Sequence, residues 1–573
     1  MMKTLTGIIF LSLTLQGLSF GQRNQLMPGP REIRYGESLV SVKGMTIGFE
    51  NQPSAEDRFA ARELSRILSK ACGTEILIME SPEVSAFLVF ERTGDPSPLP
   101  LPGEKTGKGS REYYEISIRE SGIRLSSVSS AGLFYAVQTL RQMVEYHDGE
   151  AFLPEAGIAD WPAYAYRGFM MDMSHTQLPK KEEIKRQLDF LAMWKANQYY
   201  FYSEASIELE GYPLLMADAR FTRQEVREII DYGRERHIDV IPNMELYGHL
   251  HDLFRLERYS DLAVIPHGGE FRPQDPRVAP LLEDWITQIA GLFPSPFFHI
   301  GFDETWLIHK EAEKLGIAAE ELYLKMLNQT AEIVGRNGKT CMYYADMLQK
   351  FPSIISEVPR NTVAIAWHYF PKEKQEYEPL MNPFREEGIG LFVQPATINW
   401  FSVVPSFTTS FRNIPLLIEM GREYDAEGFI LSGWTDDIQT MMRQSFPDLA
   451  LGSSSAWQQE PVDIDRFFGT YASLLYGAKA APAVERALTS LKKAEDLIAK
   501  AVGAGGGTDV ALFANPFTEE RLRMIRDHGE ELRQGRLEAE NAQESLLEVL
   551  DRDNRFGTLS TFYYGAKPWI TSL

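Results

Sequence analysis

Between residue 166 and about residue 459, short apolar runs alternate with amphipathic segments of helical period. This alternation limits the architecture of the chain more tightly than any other feature. The runs 166–174, 197–203, 238–245, 297–303, 340–346, 363–367, 391–394 and 428–433 read as strands. Between the first two, 180–195 places Ile184, Leu188 and Leu191 on one helical face, and Thr222-Arg223-Gln224-Glu225 opens another helix as a capping box. Eight strands alternating with helices over about 300 residues predict an α/β fold, a (β/α)₈ TIM barrel. An open doubly wound sheet is the alternative, but no Gly-rich phosphate-binding turn follows the first strand.

The chain of 573 residues exceeds one compact core. Residues 23–158 read as a small α+β accessory domain. Its expected parts are helices at 55–71 and 131–146, strands at 113–118 and 123–125, and a Pro/Gly-rich surface loop at 95–109. The barrel is assigned to 159–460. A helical C-terminal region follows over 461–573, with periodic stretches at 483–502 and 519–550, and reads as a packing or homodimer-forming appendage.

Residues 1–22 have the layout of a signal peptide: Lys3, an apolar core from Ile8 to Leu18, and Ser19-Phe20-Gly21 ahead of Gln22. The expectation is export, to the periplasm or outside the cell, with no membrane insertion after cleavage. A formal net charge of −22 argues against a nucleic-acid partner, whose phosphates it would repel, and against docking on an anionic membrane. Cys72 and Cys341 are too few for a disulfide framework or a cysteine-rich metal site.

The ends of the expected strands are chemically alike. The first begins at Arg167 and reaches Asp172, and the third ends in Glu245 and leads to His249. The fourth ends in Asp303-Glu304, followed by Trp306. Tyr344 and Asp346 close the fifth and Trp367 the sixth; the seventh runs on to Trp400, and Trp434 and Asp436 follow the eighth. Barrel enzymes keep their chemistry at this rim. Carboxylates with aromatic rings suit a sugar, whose hydroxyls take hydrogen bonds and whose apolar faces pack on rings. Any one of these residues alone reads equally well as core or as solvated surface. With 80 acidic residues, about eleven adjacent acidic pairs arise by chance, so joint placement carries the argument.

Tyr166-Arg167-Gly168-Phe169-Met170-Met171-Asp172, Lys195-Ala196-Asn197, Gly248-His249, His299-Ile300-Gly301-Phe302-Asp303-Glu304 and Gly433-Trp434-Thr435-Asp436-Asp437 occur in that order. Together they resemble glycoside hydrolase family 20, the β-N-acetylhexosaminidases. Ser130-Ala131-Gly132-Leu133-Phe134-Tyr135 and Gln138-Thr139-Leu140-Arg141 are similar to that family's N-terminal domain. The resemblance implies exo-hydrolysis of terminal β-linked GlcNAc or GalNAc from a glycan by a substrate-assisted route, without metal or organic cofactor. Glu304 would be the acid/base and Asp303 would hold the substrate acetamide. Arg167 and Asp436 would bind ring hydroxyls, while Trp367, Trp400 and Trp434 would wall the pocket. His249 would support the acidic pair with Asp172 behind it, and Tyr344 and Asp346 would complete the substrate-binding set. Ordinary glycosidases set two carboxyls about 5–9 Å apart across the bond, which adjacent residues are poorly suited to do.

Four departures from the family pattern stand out, one of them Tyr344, which stands where many members have tryptophan. Phe302 stands where many members have a second glycine, Asn243-Met244-Glu245-Leu246-Tyr247 replaces the commoner residues before Gly-His, and the tyrosine that often contacts the acetamide oxygen has no clear counterpart near Trp400. Two rival functions remain: a metal-dependent barrel hydrolase using His249 and His251, and a non-catalytic glycan binder on the same scaffold.

Overall fold

The computed structural model describes residues 25–80, 86–175, 177–436, 441–503, 508, 515, 517–554 and 556–572. The proposed signal peptide and Asp437 lie outside the described residues. Among the described residues, no helix is long and apolar enough to cross a membrane.

The N-terminal part is one sheet of eight strands: β1 (Glu32–Ser41), β2 (Thr46–Phe49), β3 (Leu77–Ile78), β4 (Leu88–Arg92), β5 (Tyr114–Arg119), β6 (Gly122–Ser127), β7 (Glu145–His147) and β8 (Glu150–Asp160). β5 and β6 alternate buried and outward residues, and the buried face packs under the helix Ser130–Leu140, which the helix Ala55–Cys72 flanks. The helix expected at 131–146 stops at Leu140. Beyond a short 3₁₀ turn the chain pairs β7 with β8 as a hairpin. Asp148 and Gly149, both at positive φ, form its two-residue turn, an Asp-Gly signal that outweighs the preceding helical period.

The second part is a closed parallel barrel of β9 (Tyr166–Asp172), β10 (Gln198–Ser203), β11 (Asp239–Met244), β12 (Phe297–His299), β13 (Thr340–Tyr344), β14 (Val363–Trp367), β15 (Gly390–Gln394) and β16 (Gly428–Gly433). β16 pairs with β9 over six registered positions and closes the ring. The interior is packed, as in other TIM barrels. Tyr166, Phe297 and Phe392 fill its floor, with Tyr166 stacked on Phe392 at 5.1 Å, and Tyr344, Trp400 and Trp434 lie in the same buried cluster. The helices Ala481–Val502 and Glu519–Leu547 pack along each other in the C-terminal region. Cys72 and Cys341 are free thiols.

Beneath the barrel floor a buried ionic cluster joins the two parts. The Arg167 guanidinium donates to Glu112 Oε2 at 2.6 Å and to the carbonyls of Lys195, Tyr164 and Ala165. Lys195 Nζ, Tyr114 Oη and Trp457 Nε1 all donate to Asp160 Oδ2. The 95–109 loop, expected on the surface, is tied to the same floor, because Tyr166 Oη donates to the Leu101 carbonyl and His237 lies 3.0 Å from that of Pro98.

Candidate active site

β12 ends at His299, four residues earlier than the apolar run suggests, because Gly301, Phe302 and Glu304 take φ of 70°, 77° and 50°. Left-handed backbone at successive positions cannot continue a strand. It turns the chain across the barrel mouth and brings Asp303 and Glu304 to the same histidine. His249 Nε2 lies 3.5 Å from Asp303 Oδ2 and 3.6 Å from Glu304 Oε2. The Asp303 side chain is 10% exposed and that of Glu304 41%, so the pair runs from a nearly buried carboxyl to one open to solvent.

Gly301 has no room for a side chain, since a Cβ would sit 2.0 Å from Glu245 Oε2. Phe302 has a side chain at a φ that favours glycine, and the fold compensates by burying its ring against Tyr247 at 5.3 Å and Tyr323 at 6.1 Å. Tyr323 Oη also donates to the Phe302 carbonyl. Two of the sequence departures, Phe302 and Tyr247, are therefore one packing unit. Phe302→Ala should destabilise the protein by about 3–5 kcal/mol. Phe302→Gly should cost about 1 kcal/mol less, because it relieves the left-handed strain. Urea unfolding of both variants checks the order.

Charge is concentrated here in little water. Burial would lower the His249 pKa, but the charges of Asp303, Glu245 and Glu204 outweigh it and hold the imidazole well above its ordinary value. Burial first, then the Asp303 charge, raises Glu304 above the usual carboxylate range. Glu245 is fully buried and driven well up by burial and by Asp303. Asp346, raised to about 6 by burial and by Asp303, accepts from the Glu304 backbone N–H at 3.2 Å and from Lys350 at 3.3 Å. It anchors the acid's backbone. Asp303 Oδ1 and Trp367 Nε1 are buried without hydrogen-bond partners at the mouth.

Four further residues belong to this site: Glu245, which the sequence placed at the end of the third strand without giving it a role, and three outside the sequence expectation. His175, three residues beyond the end of β9, places Nδ1 2.6 Å from Asp172 Oδ2 and Nε2 3.6 and 3.9 Å from Glu204 and Asp436. Glu204 follows the last residue of β10, and Glu245 follows that of β11. Tyr369, two residues past β14, stacks on Trp367 at 4.9 Å, meets Trp400 at 5.4 Å and accepts from Trp434 Nε1 at 2.9 Å. The ring wall is thus Trp367, Trp400, Trp434, Tyr369 and the buried Tyr344, whose ring lies 4.4 Å from His299.

Two of the expected placements are corrected. Arg167 is 0% exposed and sits at the opposite end of β9 from Asp172, under the floor, because a residue that begins a barrel strand faces the bottom of the barrel. Asp172 stands behind His175, with its Oδ2 also accepting from Thr435 N and Oγ1, while His249 is backed by Glu245 and Glu204.

Burial would lower His175, but Asp172, then Glu204 and Asp436, raise it to about 9. Its folded pKa therefore exceeds the unfolded value of about 6.5. The stability it contributes is complete below that pH and is lost as pH rises through about 9. A urea midpoint measured from pH 6 to 10 should show this loss, and His175→Gln should lack the step.

Two groups among the described residues bring ligand-type atoms within 4.8 Å of one another: His249, Asp303 and Glu304, and Asp172, His175 and Asp436. His251, the second histidine of the rival metal reading, joins neither.

Comparison with known proteins agrees with this geometry. Residues 164–379 match the model of glycosyl hydrolase family 20, catalytic domain, and residues 23–161 match that of its domain 2. The chain belongs to glycoside hydrolase family 20. Among curated relatives, a beta-hexosaminidase of Porphyromonas gingivalis is 30% identical, over 48% of this chain and 39% of its own length. One of Akkermansia muciniphila is 26% identical, over 41% and 55%. The chain thus spans about half or less of the length of these relatives. In fold, it superposes on the family 20 chitobiase of Flavobacterium johnsoniae with a TM-score of 0.67 at 16% identity, covering 95% and 91% of the two chains. The Streptomyces plicatus N-acetyl-beta-hexosaminidase gives 0.64 at 19% identity, covering 80% and 95%.

Proposed function

We propose that the protein is an exo-acting β-N-acetylhexosaminidase. It would remove terminal β-linked GlcNAc or GalNAc from glycans with retention, using the substrate's own acetamide as nucleophile. The observation that carries this reading is the adjacent pair Asp303 and Glu304 sharing one His249 nitrogen at the mouth of a ring-walled pocket. One carboxyl faces inward and the other outward, so no second carboxylate of the pair is available across the sugar.

In the first step Glu304, whose raised pKa favours the protonated acid, gives its proton to the glycosidic oxygen as the C1–O bond breaks. The acetamide oxygen forms the new bond to C1, and the resulting oxazolinium ion carries the positive charge. Asp303 accepts the acetamide N–H through Oδ1, which has no protein partner, and its charge stabilises that cation. In the second step Glu304, now a carboxylate, takes a proton from water. The oxygen of that water bonds to C1 as the acetamide is released, so Glu304 ends protonated again. His249, as an imidazolium, holds both carboxyls in register. Trp367, Trp400, Trp434 and Tyr369 enclose the ring and the acetamide methyl. Tyr369 Oη takes the role of acetamide-oxygen donor that the sequence left without a candidate. His175 and Asp436 bind hydroxyls at the opposite side of the rim. Export after signal cleavage and association through the helical C-terminal region complete the reading.

Release of p-nitrophenol from the β-N-acetylglucosaminide and the β-N-acetylgalactosaminide tests it. Turnover of at least one is expected, and the ratio of the two assigns the C4 preference. Folded protein inert toward both sugars would sink the proposal.

A further inference from the structure

Nine tryptophans occur in the chain, and Trp306 is the exposed one among the described residues, at 52%. A large apolar ring left in water on a well-packed protein calls for a partner. It is also held firmly. The Trp306 N–H donates to the Glu304 carbonyl at 2.9 Å, and the next residue, Leu307, donates its N–H to both oxygens of the buried Glu270 at 2.8 and 2.9 Å. Lys350 Nζ lies 3.5 Å from the ring centroid and bonds to Asp346, the same carboxylate that anchors the Glu304 backbone. The indole is therefore an exposed but ordered plate, with one face backed by an ammonium, two residues from the proposed acid.

The direction of the site gives the plate its role. The Asp303 side chain is nearly buried while those of Glu304 and Trp306 are exposed, with Thr305 between them turned into the protein, so the open end of the site lies on the side of Glu304 and Trp306. Whatever is attached to the glycosidic oxygen leaves over Trp306. We propose that Trp306, steadied by Lys350, forms the leaving-group subsite and stacks the pyranose ring of a saccharide aglycone. This rests on the hexosaminidase reading above and assigns its natural substrates to oligosaccharides rather than to glycosides of small or flexible alcohols. Stacking there stabilises the transition state as well as the bound substrate, because the aglycone must be held in line while Glu304 protonates it.

The test compares β-GlcNAc-(1→4)-GlcNAc with methyl β-N-acetylglucosaminide, whose leaving group has no ring, in wild type, Trp306→Ala and Trp306→Phe. The ratio of kcat/KM, disaccharide over methyl glycoside, should fall about tenfold or more in Trp306→Ala. Trp306→Phe should recover most of it. An unchanged ratio in Trp306→Ala, whether both rates hold or both fall together, overturns the subsite, and so does a Phe variant no better than Ala. Wild-type protein inert toward both glycosides would instead fail the hexosaminidase reading itself, a result distinct from any change in ratio.

Discussion

Glu304→Gln should lower kcat/KM on an aryl β-N-acetylglucosaminide by about 10²- to 10⁴-fold, the scale of a lost general acid and base. Glutamine keeps the shape and one acceptor oxygen, so folding should be unaffected and urea unfolding should match wild type. The backbone of residue 304 is held by Asp346 and the segment beyond it by Glu270, neither of which needs the side-chain charge. The loss should fall on kcat, because the interaction forms only as the glycosidic oxygen takes the proton. A variant within threefold of wild type would place the acid elsewhere at the rim, with Glu204, raised to about 7 by burial, an alternative carboxyl there.

The second large effect is on stability. Arg167→Ala should cost about 3–5 kcal/mol, since it strips the buried Glu112 Oε2 and the buried carbonyls of Tyr164, Ala165 and Lys195 of their donor, while Arg111 and Asn197 go on holding Glu112 Oε1. Thermal unfolding should drop by about 3–4 °C, the shift such a cost gives in a cooperative unit of this length, with KM for an aryl glycoside little changed in the fraction that remains folded. Unchanged stability with a strongly raised KM would return Arg167 to the substrate. That outcome requires a floor residue to reach the mouth along the whole length of β9, which the register of β9 with β10 and β16 does not allow.

Arg167 also illustrates what the sequence could and could not convey. The barrel was legible because each strand is an apolar run and each helix keeps its period. The polarity of a parallel strand is legible too: Arg167 begins the run that Asp172 ends, so the two face opposite ends of the barrel. The motif resemblance set that polarity aside. The strand-end rule reaches further than the expected site. Glu204, Glu245, His175 and Tyr369 all lie within three residues of a strand terminus, and Asp172-x-x-His175 has the spacing of a side-chain pair across a tight turn.

The geometry around Asp303 was less accessible. An apolar run through Phe302 reads as strand, and nothing in a phenylalanine announces φ of 77°. That conformation is imposed by Glu245 filling the space against Gly301 and by Tyr247 and Tyr323 receiving the Phe302 ring, contacts between residues distant in the chain. The anchoring of Glu304 by Asp346 is likewise tertiary.

The central claim is that the substrate supplies the nucleophile, and the most direct measurement is the rate with a weakened one. Aryl glycosides carrying 2-acetamido and 2-trifluoroacetamido groups differ in the basicity of the attacking oxygen and little in size. A fall in kcat/KM on the order of 10²-fold or more with the fluorinated substrate, of the size expected when a group acting in the transition state is lost, is the anticipated result. Equal rates on the two substrates would contradict acetamide participation and require a carboxylate of the protein to attack C1.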